Sequence, residues 1–291
     1  MFSWLDLPEV DFAPAIAADV DLSVSSAGEL ERIAAAAHRV GRRARVHLKI
    51  DTGLSRNGCP AYAWPALVKA ASAEPDIDVV AVWSHLACAD EPGHPSIEAQ
   101  ARRFQAAYEI AREAGLNPLR HLANSAATLT RPDLHFDLVR AGIAVYGLNP
   151  VPQQEDLRPA MTFRSAVVLT KRIEAGESVS YGQTWTAGRD TTLALVPAGY
   201  ADGVPRTLSG RMDVWLGGKR RPVAGRVCMD QLVVDCGDDE PPVGAEVILF
   251  GDGAGGGPTA REWADTIGTI DYEIVTGMYR PRVRRRYLGE R

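Results

Sequence analysis

HLANSAATLTRPDLHFDLVRAGIAVYGL, residues His121 to Leu148, is the stretch from which the rest of the chain can be read. Strand-like pieces around Leu122 and from Val139 to Tyr146 each lead into small residues, whose backbone N–H groups a ligand can approach. Asn124-Ser125 opens an alanine-rich helical turn, and a serine at a helix start offers a hydroxyl and unpaired amides to an anion. Arg140 stands two residues before Gly142-Ile143. An Arg that always stays charged, beside a glycine that admits close backbone approach, suits a flat, anionic, nitrogen-bearing cofactor. The same residues also suit an ordinary strand–helix–strand with a solvated Arg, and the stretch alone does not separate the two.

Upstream, strands and helices alternate. Asp21 to Ser25 predicts a short strand. Ser26-Ala-Gly-Glu29 forms a capping box, followed by Leu30, Ile33, Ala34 and Ala37 at helical spacing and by Gly41 as the stop. Val46 to Ile50 alternates as a strand, Pro60 to Ala71 predicts a helix, Val79 to Leu86 a strand, and Ile97 to Ala114 a long helix. With the pieces at Leu122 and Ile143 this makes five strands. Strands alternating with helices of this length imply a parallel sheet built from βαβ units, an α/β domain.

Downstream, the texture changes near Asp156. Val167 to Ile173, Leu193 to Val196, Asp213 to Leu216, Leu232 to Asp235 and Val247 to Phe250 are short β-type runs separated by glycine-rich turns. They predict a separate all-β domain, so that residues 1–155 and 156–291 form two domains. The glycine-rich run Gly251 to Gly257 lacks the Lys-Ser/Thr and the strand–helix context of a phosphate loop, and is expected to be a floppy surface turn. Thr259-Ala-Arg-Glu262 is a second capping box, starting one short helix through Ile267. The basic run Arg280 to Arg286 is expected on a solvated strand face.

Composition narrows the function classes. The 291 residues are 46% hydrophobic and 24% charged, enough for a sizeable core, and the net charge of −5 gives no electrostatic case for nucleic acid or an anionic membrane. Cys59, Cys88, Cys228 and Cys236 contain no CxxC pair, so neither a metal site nor a disulfide framework is signalled, and reduced cytosolic thiols fit. The N-terminus MFSWLDLPEVDF carries acids and no basic n-region, which argues against a signal peptide and for a cytoplasmic protein.

ANSAA and VRAGIAVYGL resemble the phosphate-site and last-barrel-strand motifs of the alanine racemases, pyridoxal-phosphate enzymes of fold type III. VHLKIDTGLSRNG, WSHLACADE, SYGQTW, GYADG, GRVCMDQ and TIDYEIVTGMYR extend the resemblance in family order over nearly the whole chain. It implies a (β/α)8 barrel followed by a C-terminal β-domain. A barrel needs eight strands, so the five read above would be the last five, with Phe2 to Leu5 a remnant of the third strand's exit. No stretch resembles the KADAYGHG segment that carries the family's Schiff-base lysine. The expectation is therefore a chain that lacks the first barrel units, as a truncated form or a degenerate relative.

The resemblance also implies the chemistry: pyridoxal 5'-phosphate-dependent interconversion of L-alanine and D-alanine, the D-alanine serving peptidoglycan. Racemisation removes the Cα proton from one face and returns it on the other, so two bases are needed. Tyr181 matches one of them; His85 and Arg140 match the chain behind it. A free tyrosine titrates near about 10 and needs polar or cationic neighbours to act. Arg140 also matches the residue facing the pyridine nitrogen, and a group with only donors keeps that nitrogen unprotonated. Ser125, Gly142, Ile143 and Tyr279 match the phosphate seat. Arg56 matches the clamp for the substrate carboxylate, and Lys49 a position often carbamylated, which would turn a repelling cation into an anion that orients Arg56. Tyr200 and Met229 match residues lining the substrate side, supplied with Tyr181 by a second subunit, so a homodimer is implied. A broader small-amino-acid racemase, a non-catalytic pyridoxal-phosphate carrier or dimerisation remnant, and a decarboxylase of the same fold type stay open; GYADG and the Tyr181 motif fit the racemase better than the decarboxylase.

Overall fold

The computed structural model describes residues 7–151 and 157–289. The chain divides into two compact units, Met1–Val145 with Asn149–Asp156, and Tyr146–Leu148 with Leu157–Arg291. The expected strand remnant at Phe2 to Leu5 lies outside the described residues.

In the first unit the elements run α1 (Ala13–Ala17), β1 (Leu22–Val24), α2 (Ala27–Val40), β2 (Ala44–Lys49), α3 (Trp64–Ala73), β3 (Ile77–Trp83), α4 (Pro95–Glu113), β4 (Leu119–His121) and α5 (Ser125–Thr130). Strands β1-β2-β3-β4 form one parallel sheet in chain order, the arrangement that helical crossovers impose. Helix α2 shows how local sequence sets its ends. Ser26 Oγ accepts from Glu29 N–H at 3.2 Å, and Gly41 closes the helix in the left-handed conformation. The Glu29 carboxylate reaches Ser25 N–H at 2.6 Å, one residue before the cap, so the box is not reciprocal. Leu30, Ile33, Ala34 and Ala37 fall on one face and are buried with Val46, Leu48, Trp64 and Phe104.

The fifth predicted strand is not formed. Ile143–Tyr146 is a 3-10 turn, and Arg140 lies in the loop before it. The β-branched residues there favour a strand, but amides of the segment are bonded elsewhere. Gly142 and Ala144 N–H donate to the Ser125 hydroxyl at 2.7 and 3.3 Å, and Val145 N–H closes back on Gly142 O at 3.1 Å. A segment whose donors are already taken cannot extend a ladder.

The second unit is built from β5 (Phe163–Ala166), β6 (Leu169–Ile173), β7 (Ser178–Val179), β8 (Trp185–Thr186), β9 (Thr191–Val196), β10 (Asp213–Leu216), β11 (Lys219–Pro222), β12 (Leu232–Gly237) and β13 (Glu246–Phe250), with α6 (Ala260–Ile267) and α7 (Asp271–Gly277). These form the sheets β11-β10-β13-β5 and β12-β9-β6 and the hairpin β7-β8. Alternating residues such as Leu232 and Val234, or Val214 and Leu216, point into a core shared with Phe250 and Trp263, whose rings meet edge-to-face at 5.1 Å.

Three expectations are corrected in this unit. The glycine run 251–257 is not floppy: Gly251 N–H donates to Pro258 O at 2.8 Å, and Arg220 donates to the carbonyls of Gly256 and Gly257 at 2.5 and 3.0 Å. The basic run 280–286 is irregular rather than a strand; Arg282 pairs with Asp202 and Asp230, and Arg285 lies over the Tyr279 ring. Helix α7 follows α6 after a short turn, so the region holds two helices instead of one. No helix among the described residues is long and apolar enough to cross a membrane.

Candidate active site

Strand register gathers polar residues on one face of the parallel sheet. Lys49 pairs with Trp83 and Trp83 with His121, so the three form a row at the C-terminal ends of β2, β3 and β4. One row back, Ser23, His47, Ala81 and Leu119 align. Residues two apart share a face, so both rows point the same way. Parallel α/β folds place their ligand sites at this end of the strands. Lys49, His47 and His121 are all at most 4% exposed, unusual for such residues without a polar partner.

Trp83 is the platform of the cluster. His121 stacks on it at 5.6 Å and 13°, the Lys49 ammonium lies 4.1 Å from the ring centroid, and the Arg140 guanidinium lies 4.8 Å from it. The indole N–H donates to Ser23 Oγ at 3.1 Å, which fixes the ring's rotation.

Arg140 is held from several sides. Its Nη1 donates to His121 O at 2.9 Å and His121 Nδ1 at 3.1 Å; its Nη2 donates to Ser84 O at 2.8 Å, Leu122 O at 3.1 Å and His85 Nδ1 at 3.3 Å. Among the described residues no acceptor takes the Nε–H. Burial lowers the Arg140 pKa to about 10, which leaves it charged at neutral pH. Burial, and then the Arg140 charge, push His85 down to about 4 and His121 down to about 2. Both imidazoles are therefore neutral. His85 accepts at Nδ1, so its proton sits on Nε2.

The loop after β2 folds back on the strand end: Cys59 N–H donates to Lys49 O and Asp51 N–H to Cys59 O, at 2.8 and 2.9 Å. This returns Asn57 to Lys49, whose ammonium donates to Asn57 Oδ1 at 2.5 Å, and leaves Arg56 exposed beside it. Burial, then Arg56 and Arg140, lower the Lys49 pKa to about 8. Ser125, at the first position of α5, is brought against Gly142 and Ala144, the two residues flanking Ile143, by the two amide bonds to its hydroxyl. Asn124 caps the helix by accepting from Ala127 N–H at 3.1 Å.

The remaining predicted residues lie in the second unit. Tyr181 sits in a 3-10 turn after β7 and is 71% exposed. The turn is strained: Ser180 and Gln183 have φ of 66° and 48°. Ser180 Oγ donates to Arg226 O at 2.8 Å, tying the turn to the segment that continues to Met229. That segment in turn holds Tyr200: Tyr200 N–H donates to Cys228 O and Ala201 N–H to Met229 O, at 3.0 and 2.9 Å. The approach requires Gly199, where a Cβ would lie 2.3 Å from Cys228 O and 2.4 Å from Met229 O. Arg282 bridges Asp202 and Asp230 a few residues from Tyr279, which is itself exposed. Tyr181, Tyr200 and Met229 thus belong to one hydrogen-bonded surface.

Two family models match the chain. The model of the alanine racemase N-terminal domain covers residues 1–150, and that of the C-terminal domain covers residues 160–287. The chain belongs to the alanine racemase family. An alanine racemase of Frankia casuarinae is 55% identical over 297 residues, covering 99% of this chain and 77% of the relative. One of Salinispora arenicola is 53% identical over 296 residues, covering 100% of this chain and 80% of the relative. The solved alanine racemase of D-cycloserine-producing Streptomyces lavendulae superposes with a TM-score of 0.94 at 50% identity, over 99% of this chain and 77% of its own. Trp83, Asn57, His47, His121 and Asp21, which join this cluster in the fold, were not singled out as candidate site residues from the sequence. His47 did carry a signal: it lies two residues before Lys49 on the same strand face.

Proposed function

We propose that this chain interconverts L-alanine and D-alanine with pyridoxal 5'-phosphate, in the cytoplasm, as a homodimer. The observation that carries the reading is Arg140: a donor-only group held by three carbonyls and two neutral imidazoles, with no acceptor on its Nε–H among the described residues. Such a group fits the pyridine nitrogen and keeps it unprotonated, while Ser125, Gly142, Ile143 and Tyr279 would hold the phosphate. The bound cofactor supplies the electron sink that loosens the Cα proton. Arg56 binds the substrate carboxylate, and carbamylation of Lys49, whose lowered pKa raises the share of free amine, would convert a neighbouring cation into an orienting anion. Tyr181 Oη takes or returns the Cα proton on one face, with Nε2–H of His85 behind it. A second copy of the chain supplies Tyr181, Tyr200 and Met229.

The base on the other face is a lysine. The sequence holds four lysines. Lys49 is buried on Asn57 and Trp83, Lys69 and Lys171 are exposed on α3 and β6, and Lys219 pairs with Asp239. None of them lies in a KADAYGHG-like segment, and on this reading these 291 residues alone would bind cofactor without anchoring it covalently and would not turn over normally. A non-catalytic pyridoxal-phosphate binder is the second reading this favours. The test is to supply pyridoxal phosphate to the purified chain, with and without a lysine-bearing KADAYGHG segment, and to follow D-alanine formation and borohydride-reducible attachment. Both signals are expected only with the segment. Turnover and attachment by the chain alone would refute the unanchored-cofactor reading; no activity in either form would refute the racemase reading.

A further inference from the structure

Behind Arg140 the hydrogen bonds continue, away from every residue assigned a role above. His121 Nε2 lies 2.8 Å from His47 Nδ1, and His47 Nε2 lies 3.0 Å from Asp21 Oδ2. Asp21 precedes β1, His47 is on β2 and His121 ends β4, so three elements each contribute one member. The register explains how β2 reaches β4. Ala81 is the β3 residue opposite His47, and its single methyl leaves the face of the sheet open above it. The imidazoles meet across that gap with ring centroids 5.0 Å apart.

The identity of the two ends dictates every proton between them. A carboxylate only accepts, so His47 carries its proton on Nε2. His47 is neutral because burial lowers its pKa, so its Nδ1 is a lone pair and must accept from His121 Nε2–H. The neutral His121 then presents a lone pair at Nδ1. From the other end, Arg140 only donates, and requires that same lone pair. Asp21 has one further partner, Arg45, which donates to both its oxygens at 2.6 and 3.2 Å and holds the carboxylate ionised.

We infer that Asp21 and His47 are positioning residues for Arg140: they fix His121 in its Nε2–H tautomer, so that an acceptor always faces the guanidinium. The Nδ1–H form of His121 would place a donor against Arg140, so the carboxylate at one end and the guanidinium at the other reinforce the same tautomer. A carboxylate two imidazoles away therefore strengthens, through both rings, the acceptor that holds Arg140 Nη1. The importance of a held Arg140 for the reaction rests on the function proposed above; the tautomer chain itself does not.

The experiment therefore reads the ligand-free protein. In the 291-residue chain labelled with 15N-histidine and 15N-arginine, two-bond nitrogen–proton correlations identify each tautomer, and solvent exchange of the Arg140 Nη–H protons reports how firmly the fork is held. His121 is assigned with His121→Gln. Wild type should show His47 and His121 both protonated at Nε2. Asp21→Leu removes the terminal acceptor and leaves Arg140 alone to select the tautomers, so the Nδ1–H form should become detectable at both rings, with Arg140 Nη–H exchange faster by about ten-fold, the equivalent of one hydrogen bond to a charged group. Asp21→Asn, which keeps an oxygen acceptor, should restore the single tautomer. Arg45→Gln should leave it unchanged, separating the relay from the surface ion pair. His121 protonated at Nδ1 in the wild type would overturn the inference without any variant. So would an Asp21→Leu protein whose His121 tautomer and Arg140 exchange match wild type.

Discussion

Lowering the pH from 7 to 5 should destabilise the first unit by about 4 kcal/mol, and the two imidazoles on Arg140 account for it. In the unfolded chain a histidine titrates near about 6.5; in the fold His85 titrates at about 4 and His121 at about 2. Between those values the unfolded state binds protons that the folded state refuses. Stability present above pH 6.5 is therefore lost as the pH falls towards the folded pKa. Each group loses about 1.4 kcal/mol per pH unit, so from 6.5 to 5 the two together lose about 4 kcal/mol. His47, also lowered, acts in the same direction. Asp21 is lowered too, but an aspartate favoured in its ionised form loses stability only below the ordinary carboxylate value, outside this window. Against the 5–15 kcal/mol of a typical domain, about 4 kcal/mol is a large share. Urea denaturation followed by tryptophan fluorescence measures it, with Trp83 stacked on His121 as a local reporter. His121→Phe should remove about half of the pH dependence, since one of two equal contributions disappears. A urea midpoint that stays flat or rises between pH 7 and 5 would refute the reasoning.

Arg56→Ala, in a form carrying the lysine segment, should raise the Michaelis constant for alanine about ten- to a hundred-fold, the worth of a charge-assisted contact to a carboxylate; an unchanged constant would remove Arg56 as the clamp. Gly199→Ala should destabilise the second unit by about 1–3 kcal/mol, because its Cβ meets backbone carbonyls that cannot rotate away and two backbone hydrogen bonds are lost; thermal melting checks this, and a wild-type midpoint would contradict the close approach. Light scattering of the purified chain should give a dimer mass, and a folded monomer at all concentrations would remove the shared-site reading.

The βαβ order of residues 21–113 is legible without coordinates, because helix periods, caps and apolar strands are local: Ser26, the Leu30–Ile33–Ala37 stripe and Gly41 lie within one short window. The β-domain strands are legible for the same reason, and the motif residues Arg56, His85, Arg140 and Tyr181 through resemblance. Tertiary structure alone decided the rest. Ile143 has strand-forming neighbours, yet the Ser125 hydroxyl, distant in sequence, takes the amides a ladder would need. The run at 251–257 has a floppy composition, yet Arg220 from another strand pins its carbonyls. His47 and His121 are 74 residues apart, and only the register of β2, β3 and β4, with Ala81 small between them, brings their nitrogens within 2.8 Å. Side-chain propensity is a property of a residue and its near neighbours. A hydrogen-bond partner or a neutral buried imidazole is a property of the packing, and no window of sequence contains it.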